Sequence, residues 1–210
     1  MNKEKLEEKI KFVPPFYPQN WDLRQWKELG FDSCEEADYW MWSSCGILCL
    51  KMAVDGFGQY RNKKELSPSI AEYIKLGVGE GGYTHKDGWK HFGLAKLGER
   101  FGLEGKIADK ISEKEMIKIL ENNGLIIVSI KAGFKTQKTL KERVLFWKKY
   151  GGHLALVIGY ALKNGKLHGF FVHHTAIKAD KNWSRRLIDK EKFWQSFTGR
   201  GIIFTLRREL

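Results

Sequence analysis

Ser43-Ser44-Cys45-Gly46-Ile47-Leu48-Cys49-Leu50-Lys51-Met52-Ala53 is the stretch that decides the fold. Cys45, Leu48, Cys49, Met52 and Ala53 recur at i, i+3, i+4, i+7 and i+8, which is one face of an α-helix. The pattern predicts a helix from Cys45 to about Val54, stopping where Asp55-Gly56-Phe57-Gly58 offers a glycine cap. Ser43 or Ser44 supplies an N-cap hydroxyl. Cys45 then sits in the first turn, where unpaired N–H groups and the helix dipole favour a thiolate. Cys49 lies one turn deeper on the same face and reads as a small buried hydrophobe.

A chain of 210 residues supports one domain with its own core, and no linker, repeat or low-complexity tract divides residues 1–210. No apolar run approaches a membrane span, and Met1–Lys9 lacks the apolar stretch of a signal peptide. Cys34, Cys45 and Cys49 are odd in number and form no Cys-x-x-Cys pair, so reduced thiols in a cytoplasmic setting are expected. Lys and Arg outnumber Asp and Glu by 37 to 25, a net charge of +12 that invites a nucleic-acid reading. The charges are mixed with acids along the chain, however, and match no nucleic-acid motif. The nearest basic cluster is Arg185-Arg186 with Lys178, Lys181, Lys190 and Lys192. Solvating charge is the better account.

Residues 1–11 read as a charged helix or arm. Val13-Pro14-Pro15-Phe16-Tyr17-Pro18-Gln19 is extended, because proline forbids helix and biases the residue before it. Short helices are expected at 21–30 and 35–42, a further one from Ser67-Pro68 to Leu76, and another over 87–101. Gly77–Tyr83 reads as a glycine-rich loop without the Lys-Ser/Thr ending of a phosphate loop. Ser112-Glu113-Lys114-Glu115 is a capping box that opens a helix to Asn122. After Gly124 the character changes to strands at 125–130, 154–160, 169–172 and 201–206. Asn164-Gly165 is a hairpin turn between the second and third. Helices first and strands afterwards make an α+β protein, with a helical lobe on a mainly antiparallel sheet.

That hairpin brings His153, at the start of one strand, beside His173 or His174 at the end of its partner. A helix-terminal thiol, an imidazole and a second polar group next to that imidazole make a nucleophile, a base and an orienting group. Trp40 and Trp42 flank Cys45, and core packing is expected for them over lining a substrate groove; His85 and His91 read as solvated loop positions.

On these residues the sequence resembles the peptidase C39-like proteins, papain-fold cysteine peptidases related to the bacterial domain that trims double-glycine leaders from bacteriocin precursors. Val13–Gln19 resembles the family's opening strand, which ends in the glutamine of the oxyanion hole. Tyr39–Met52 resembles its nucleophile helix, and Gly88-Trp89-Lys90-His91-Phe92-Gly93-Leu94 its middle helix. Gly152–Tyr160 resembles its histidine strand. Phe171-Val172-His173-His174-Thr175-Ala176 aligns with the stretch where members read Asn-Pro or Asp-Pro. The resemblance implies a papain-like fold, Cys45 as nucleophile, His153 as base, His174 in the Asn/Asp place and Gln19 as oxyanion donor, with no cofactor. His174 departs from the pattern: a neutral imidazole can orient His153 but offers it no countercharge.

Three functions follow for test. The first is a cysteine peptidase or related acyl-transfer hydrolase acting on a peptide or protein. The second is a degenerate peptidase fold that captures a peptide without cleaving it. The third is a metal site built from Cys45, His153 and His174. Nothing in the sequence sets the oligomeric state.

Overall fold

The computed structural model describes residues 5–62, 67–131, 134 and 152–207. Its strands, in chain order, are β1 (Leu6–Lys9), β2 (Tyr83–Thr84), β3 (Gly88–Trp89), β4 (Leu103–Ala108), β5 (Leu125–Ile130), β6 (His153–Lys163), β7 (Lys166–His174), β8 (Trp183–Asp189) and β9 (Phe197–Leu206). β2 and β3 form a small hairpin. Among the described residues the other seven form one antiparallel sheet in the order β4-β9-β5-β6-β7-β8, with β1 joining β6. β6 is long enough to take two partners on one edge. β5 pairs with it from His153 to Val157, and β1 from Tyr160 to Lys163.

Both faces of the sheet are covered. α1 (Cys34–Ser43), α2 (Cys45–Tyr60), α3 (Ile70–Gly79) and α4 (His91–Arg100) lie on one side, where Ile47, Leu48 and Met52 share a core with Leu154, Leu156 and Phe171. α5 (Glu113–Glu121) and α6 (Lys190–Ser196) lie on the other, where Met116, Leu120 and Phe193 meet Ala155, Val157 and Phe170. Strands buried on both faces need no polar alternation, which is why β5, β6, β7 and β9 read as continuous apolar runs. The mixed helical and antiparallel architecture is the α+β, papain-like fold expected. The second helical layer is an addition to it.

The strands that the sequence pattern did not reveal are β1, β2, β3, β4 and β8. β4 and β8 are the outer strands of the sheet, and such edges carry charge that discourages pairing with other chains. Arg185 and Arg186 in β8 serve this way. The expected basic cluster is also partly consumed: Arg185 pairs with Glu8, Arg186 sits 4.1 Å above the Trp183 ring, and Lys190 pairs with Glu113 at 2.8 Å. Leu6-Glu7-Glu8-Lys9 is a strand rather than a helix or loose arm, because β6 outruns β5 and leaves an edge to be paired. Residues 13–18 are extended but belong to no strand.

Helix boundaries differ in instructive places. The expected helix at 21–30 is a short 3-10 turn at Leu23–Gln25 followed by turns. α3 begins after Ser69, whose hydroxyl and Glu72 complete a capping box, not at Ser67-Pro68, and runs through Gly77 to Gly79. α4 starts only at His91, behind the β2–β3 hairpin. The Ser112–Glu115 capping box opens α5 as read, and Asn164 and Gly165 take the positive φ values of 51° and 74° that a two-residue hairpin turn requires. α2 passes straight through Asp55–Gly58 to Tyr60. Tertiary contact outweighs glycine's low propensity here: a Cβ at Gly56 would meet Pro14 at 2.7 Å, so the glycine lets the extended Val13–Gln19 segment lie against the helix.

This gives opposite signs for two neighbouring substitutions. Gly58 has nothing within 4 Å of an added Cβ, so Gly58→Ala is expected to stabilise by about 0.5–1 kcal/mol through helix propensity. Gly56→Ala is expected to destabilise by about 1–3 kcal/mol through overpacking. Urea unfolding of both variants checks this, and equal shifts would contradict the packing account.

Candidate active site

Ser44 is the single-residue break between α1 and α2. It occupies the N-cap position, but its hydroxyl makes no capping bond and is buried without a partner. The first-turn N–H groups are therefore left for another acceptor, and the Cys45 sulfur takes that place. Burial is the larger influence and pushes the Cys45 thiol above its ordinary value. Contacts with the backbone of Leu154, Gly46 and Cys45 itself pull the other way, toward thiolate. Gly46 makes this approach possible, since a Cβ there would lie 2.8 Å from Trp89 and 2.9 Å from Leu154. Trp89 also donates its indole N–H to the Ser43 carbonyl at 2.7 Å, fixing the junction of the two helices.

Leu154 follows His153 at the start of β6, so the thiol meets the strand beside the expected base. By strand alternation Leu154 faces α2, whereas His153 shares the opposite side with His174. Their ring centroids are 4.7 Å apart. Burial holds His153 below its ordinary pKa, while the backbone of Thr175 favours the protonated ring. Nε2 of His153 is buried and has no hydrogen-bond partner. Burial thus keeps both the thiol and the imidazole neutral, on opposite sides of the strand end, and among the described residues no hydrogen bond joins them.

Of the two adjacent histidines it is His174 that lies beside His153. It does not accept a hydrogen bond from that ring. Its Nδ1–H donates to the Lys181 carbonyl at 2.7 Å, its Nε2 is buried without a partner, and Trp183 and Phe134 pack around it. Burial, the charge of a protonated His153, and Lys181 and Arg186 push it down to about 4. His173 turns to the other face, donates from Nε2 to the Pro14 carbonyl at 3.0 Å and accepts the Arg185 N–H on Nδ1. It clips the Val13–Gln19 segment to β7.

Gln19 is buried, and its Oε1 accepts from the Thr175 hydroxyl at 3.4 Å. Thr175, a departure from the resembled pattern, therefore touches both Gln19 and His153. A proline there has no hydroxyl to offer. Asn182 went unnoticed in the sequence and completes the arrangement. Its Oδ1 accepts from the N–H groups of Ala176 at 2.8 Å and Gln19 at 3.3 Å, and its Nδ2 donates to the Ala176 carbonyl and to Asn20, each at 2.6 Å. No local sequence signal could reveal a side chain that joins residues so far apart in the chain.

The remaining candidates divide. Trp40 is core, but Trp42 is 65% exposed. His85 is exposed and accepts from or donates to the Tyr39 hydroxyl at 2.7 Å. His91 is not a loop residue: it opens α4, half-buried, with Nε2 2.8 Å from the Ser129 hydroxyl. Cys34 is exposed and Cys49 fully buried. Among the described residues, no group of three or more His, Cys, Asp or Glu side chains is arranged to hold a metal ion.

The sequence matches the model of the Peptidase_C39 like family over residues 15–202. The chain belongs to this family. Several solved structures are similar to it. One described as a C39-like peptidase from Bacillus anthracis is 15% identical, with a TM-score of 0.58, covering 97% of this chain and 100% of its own. A double glycine motif protease from an AMS/PCAT transporter, in complex with its leader peptide, is 17% identical with a TM-score of 0.48, covering 95% of this chain and 99% of its own. The peptidase domain of Streptococcus ComA is 17% identical with a TM-score of 0.47, covering 79% and 93%. No curated protein matches.

The burial of His174 sets a pH dependence for this C39-like protein. Its folded pKa of about 4 lies below the unfolded value of about 6.5. The stability it contributes is complete above pH 6.5 and is lost as pH falls toward 4, a difference on the order of 3 kcal/mol. Urea unfolding between pH 7 and 4.5 is expected to show a steeper loss in the wild type than in His174→Asn. Parallel curves would contradict the assignment.

Proposed function

We propose that the protein is a cysteine peptidase that cleaves a peptide or related acyl bond through Cys45 and His153. The observation that carries this reading is the Cys45 sulfur at the head of α2, in contact with backbone N–H groups and with the strand residue next to His153. In the proposed reaction Nε2 of His153 takes the thiol proton as sulfur attacks the carbonyl carbon. The C–N bond then breaks, His153 returns the proton to the leaving amine, and water hydrolyses the thioester. Gln19 and the Cys45 N–H would hold the oxyanion; losing one such donor costs about 10²–10³ in rate. Thr175 would position His153 through its backbone and Gln19 through its hydroxyl.

This resting state differs from a preformed thiolate–imidazolium pair. Both groups are neutral, and the unpartnered Nε2 of His153 is the acceptor the thiol proton requires. Because His153 lies with His174 on the side of β6 away from α2, the reaction requires its ring to rotate around the strand end toward Sγ when substrate binds. A peptide complex with His153 still beside His174 would overturn it. In this reading the whole chain acts as one domain, without a cofactor, in a reducing cytoplasm that keeps Cys34, Cys45 and Cys49 as thiols. Among the described residues no helix is long and apolar enough to cross a membrane.

The same neutral pair favours a second reading, a peptide-capturing module that does not cleave. A mixed peptide library separates the two. Wild type is expected to cleave, Cys45→Ala to leave every peptide intact while remaining folded, and Cys49→Ala to keep turnover while losing about 1–2 kcal/mol of stability from its buried site. Peptides retained but uncut by the wild type would establish the capture reading. Full turnover by Cys45→Ala would remove the nucleophile from consideration.

A further inference from the structure

Ten residues beyond Cys45, about 15 Å along α2 at 1.5 Å per residue, Asp55 forms a buried ion pair with Lys51. Their side chains are only 9% and 8% exposed, and Lys51 Nζ lies 3.1 Å from Asp55 Oδ2. Lys51 also donates to the Ser67 hydroxyl at 2.6 Å and to the Pro68 carbonyl at 2.9 Å, so its three protons are all used. Apolar side chains of similar volume are often at least as stable as such a pair. Stability alone therefore does not account for it.

What the pair does hold is the Val13–Gln19 arm. Tyr17 donates its hydroxyl proton to the same Asp55 oxygen at 2.6 Å, and its ring centre lies 5.1 Å from the Lys51 ammonium. Burial first, and then the bond to Asp55, push the Tyr17 phenol well above its ordinary value, so it stays a donor. Residues 13–18 belong to no strand, so no ladder of backbone bonds fixes this segment. Its other ties are weaker or more distant. Gln19's own bonds, from its N–H to Asn182 at 3.3 Å and from the Thr175 hydroxyl to its Oε1 at 3.4 Å, are long. His173 holds the Pro14 carbonyl at 3.0 Å, five residues before Gln19. The Tyr17 bond is short, assisted by the Asp55 charge and only two residues away. It is the strongest tie near Gln19.

We propose that Asp55, acting through Tyr17, is a positioning residue that sets where the Gln19 side chain stands. Its effect on rate rests on the peptidase reading, in which Gln19 holds the oxyanion. One rigid helix then carries the sulfur at its head and, ten residues on, the anchor of the oxyanion donor. A misplacement of about 1 Å in such a constellation costs up to about 10²-fold in rate. Lys51 holds Asp55 still, and Asp55 holds the arm.

Tyr17→Phe tests this, because it removes the hydroxyl, keeps the ring and leaves Asp55 paired with Lys51. On a peptide that wild type cleaves, Tyr17→Phe is expected to lower kcat about tenfold or more with KM unchanged. In a Gln19→Ala background the same substitution is expected to cost nothing further, because the two residues act as one unit. An unchanged kcat, an equal loss with and without Gln19, or a loss confined to KM overturns the proposal. A readout without turnover is the side-chain amide resonance of Gln19, identified by its absence from Gln19→Ala. It is expected to move in Tyr17→Phe. It is expected to stay in Tyr73→Phe, which loses a neighbouring hydroxyl bonded to Ser67 and, among the described residues, not to the arm. A resonance that stays in Tyr17→Phe, or moves equally in both, overturns the proposal. A wild type that cleaves nothing while this resonance moves sets aside the peptidase reading and leaves the positioning role standing. Asp55→Glu keeps the charge and shifts the acceptor by one methylene. It too is expected to move the resonance, and it decides should the melting curve show Tyr17→Phe unfolded.

Discussion

The close approach of α2 to the start of β6 is the contact on which the rest of the site depends. Gly46 removes the side chain that would hold helix and strand apart, and Leu154 fills the space on the other side. The same contact delivers the Cys45 sulfur to the backbone beside His153. The buried run from Ile47 to Ala53 makes this geometry stiff, because close-packed cores yield little to displacement.

Around that contact the site is held in a neutral state. Burial raises the thiol and lowers both imidazoles, and among the described residues no carboxylate contributes to either ring's balance. His174 is committed to the Lys181 carbonyl and is packed between aromatic rings, so it shapes the wall behind His153 instead of steering its tautomer by a hydrogen bond. In the proposed peptidase, orientation of His153 would pass to the Thr175 backbone, and His174 would supply volume behind the ring.

Most of the architecture was legible because it is written in local rules. The spacing of Cys45, Leu48, Cys49 and Met52, the Ser112–Glu115 capping box and the Asn164-Gly165 turn each act within a few residues. Gln19, Cys45, His153 and His174 were singled out only together, through motif order and the hairpin, and of these the described contacts join His153 to His174. What escaped was set by distance. β1 is a strand only because β6 has an open edge, α2 outlasts its glycines only because Pro14 lies against Gly56, and Asn182 has a role only once both halves of the chain have met. Propensity carries no record of such partners.

Asn182 spans 162 residues of sequence to reach Asn20 and 163 to reach the Gln19 N–H. Contacts of that separation close large loops and form late, after nearby helices and hairpins have gained structure. α2 and the β6–β7 hairpin are each assembled from neighbouring residues, so they can form before these contacts. The Gln19 arm docks at the end. If the proposed peptidase reading holds, a nascent or partly unfolded chain would have a thiol with no organised place for a developing negative charge, and the order of assembly would guard against premature chemistry.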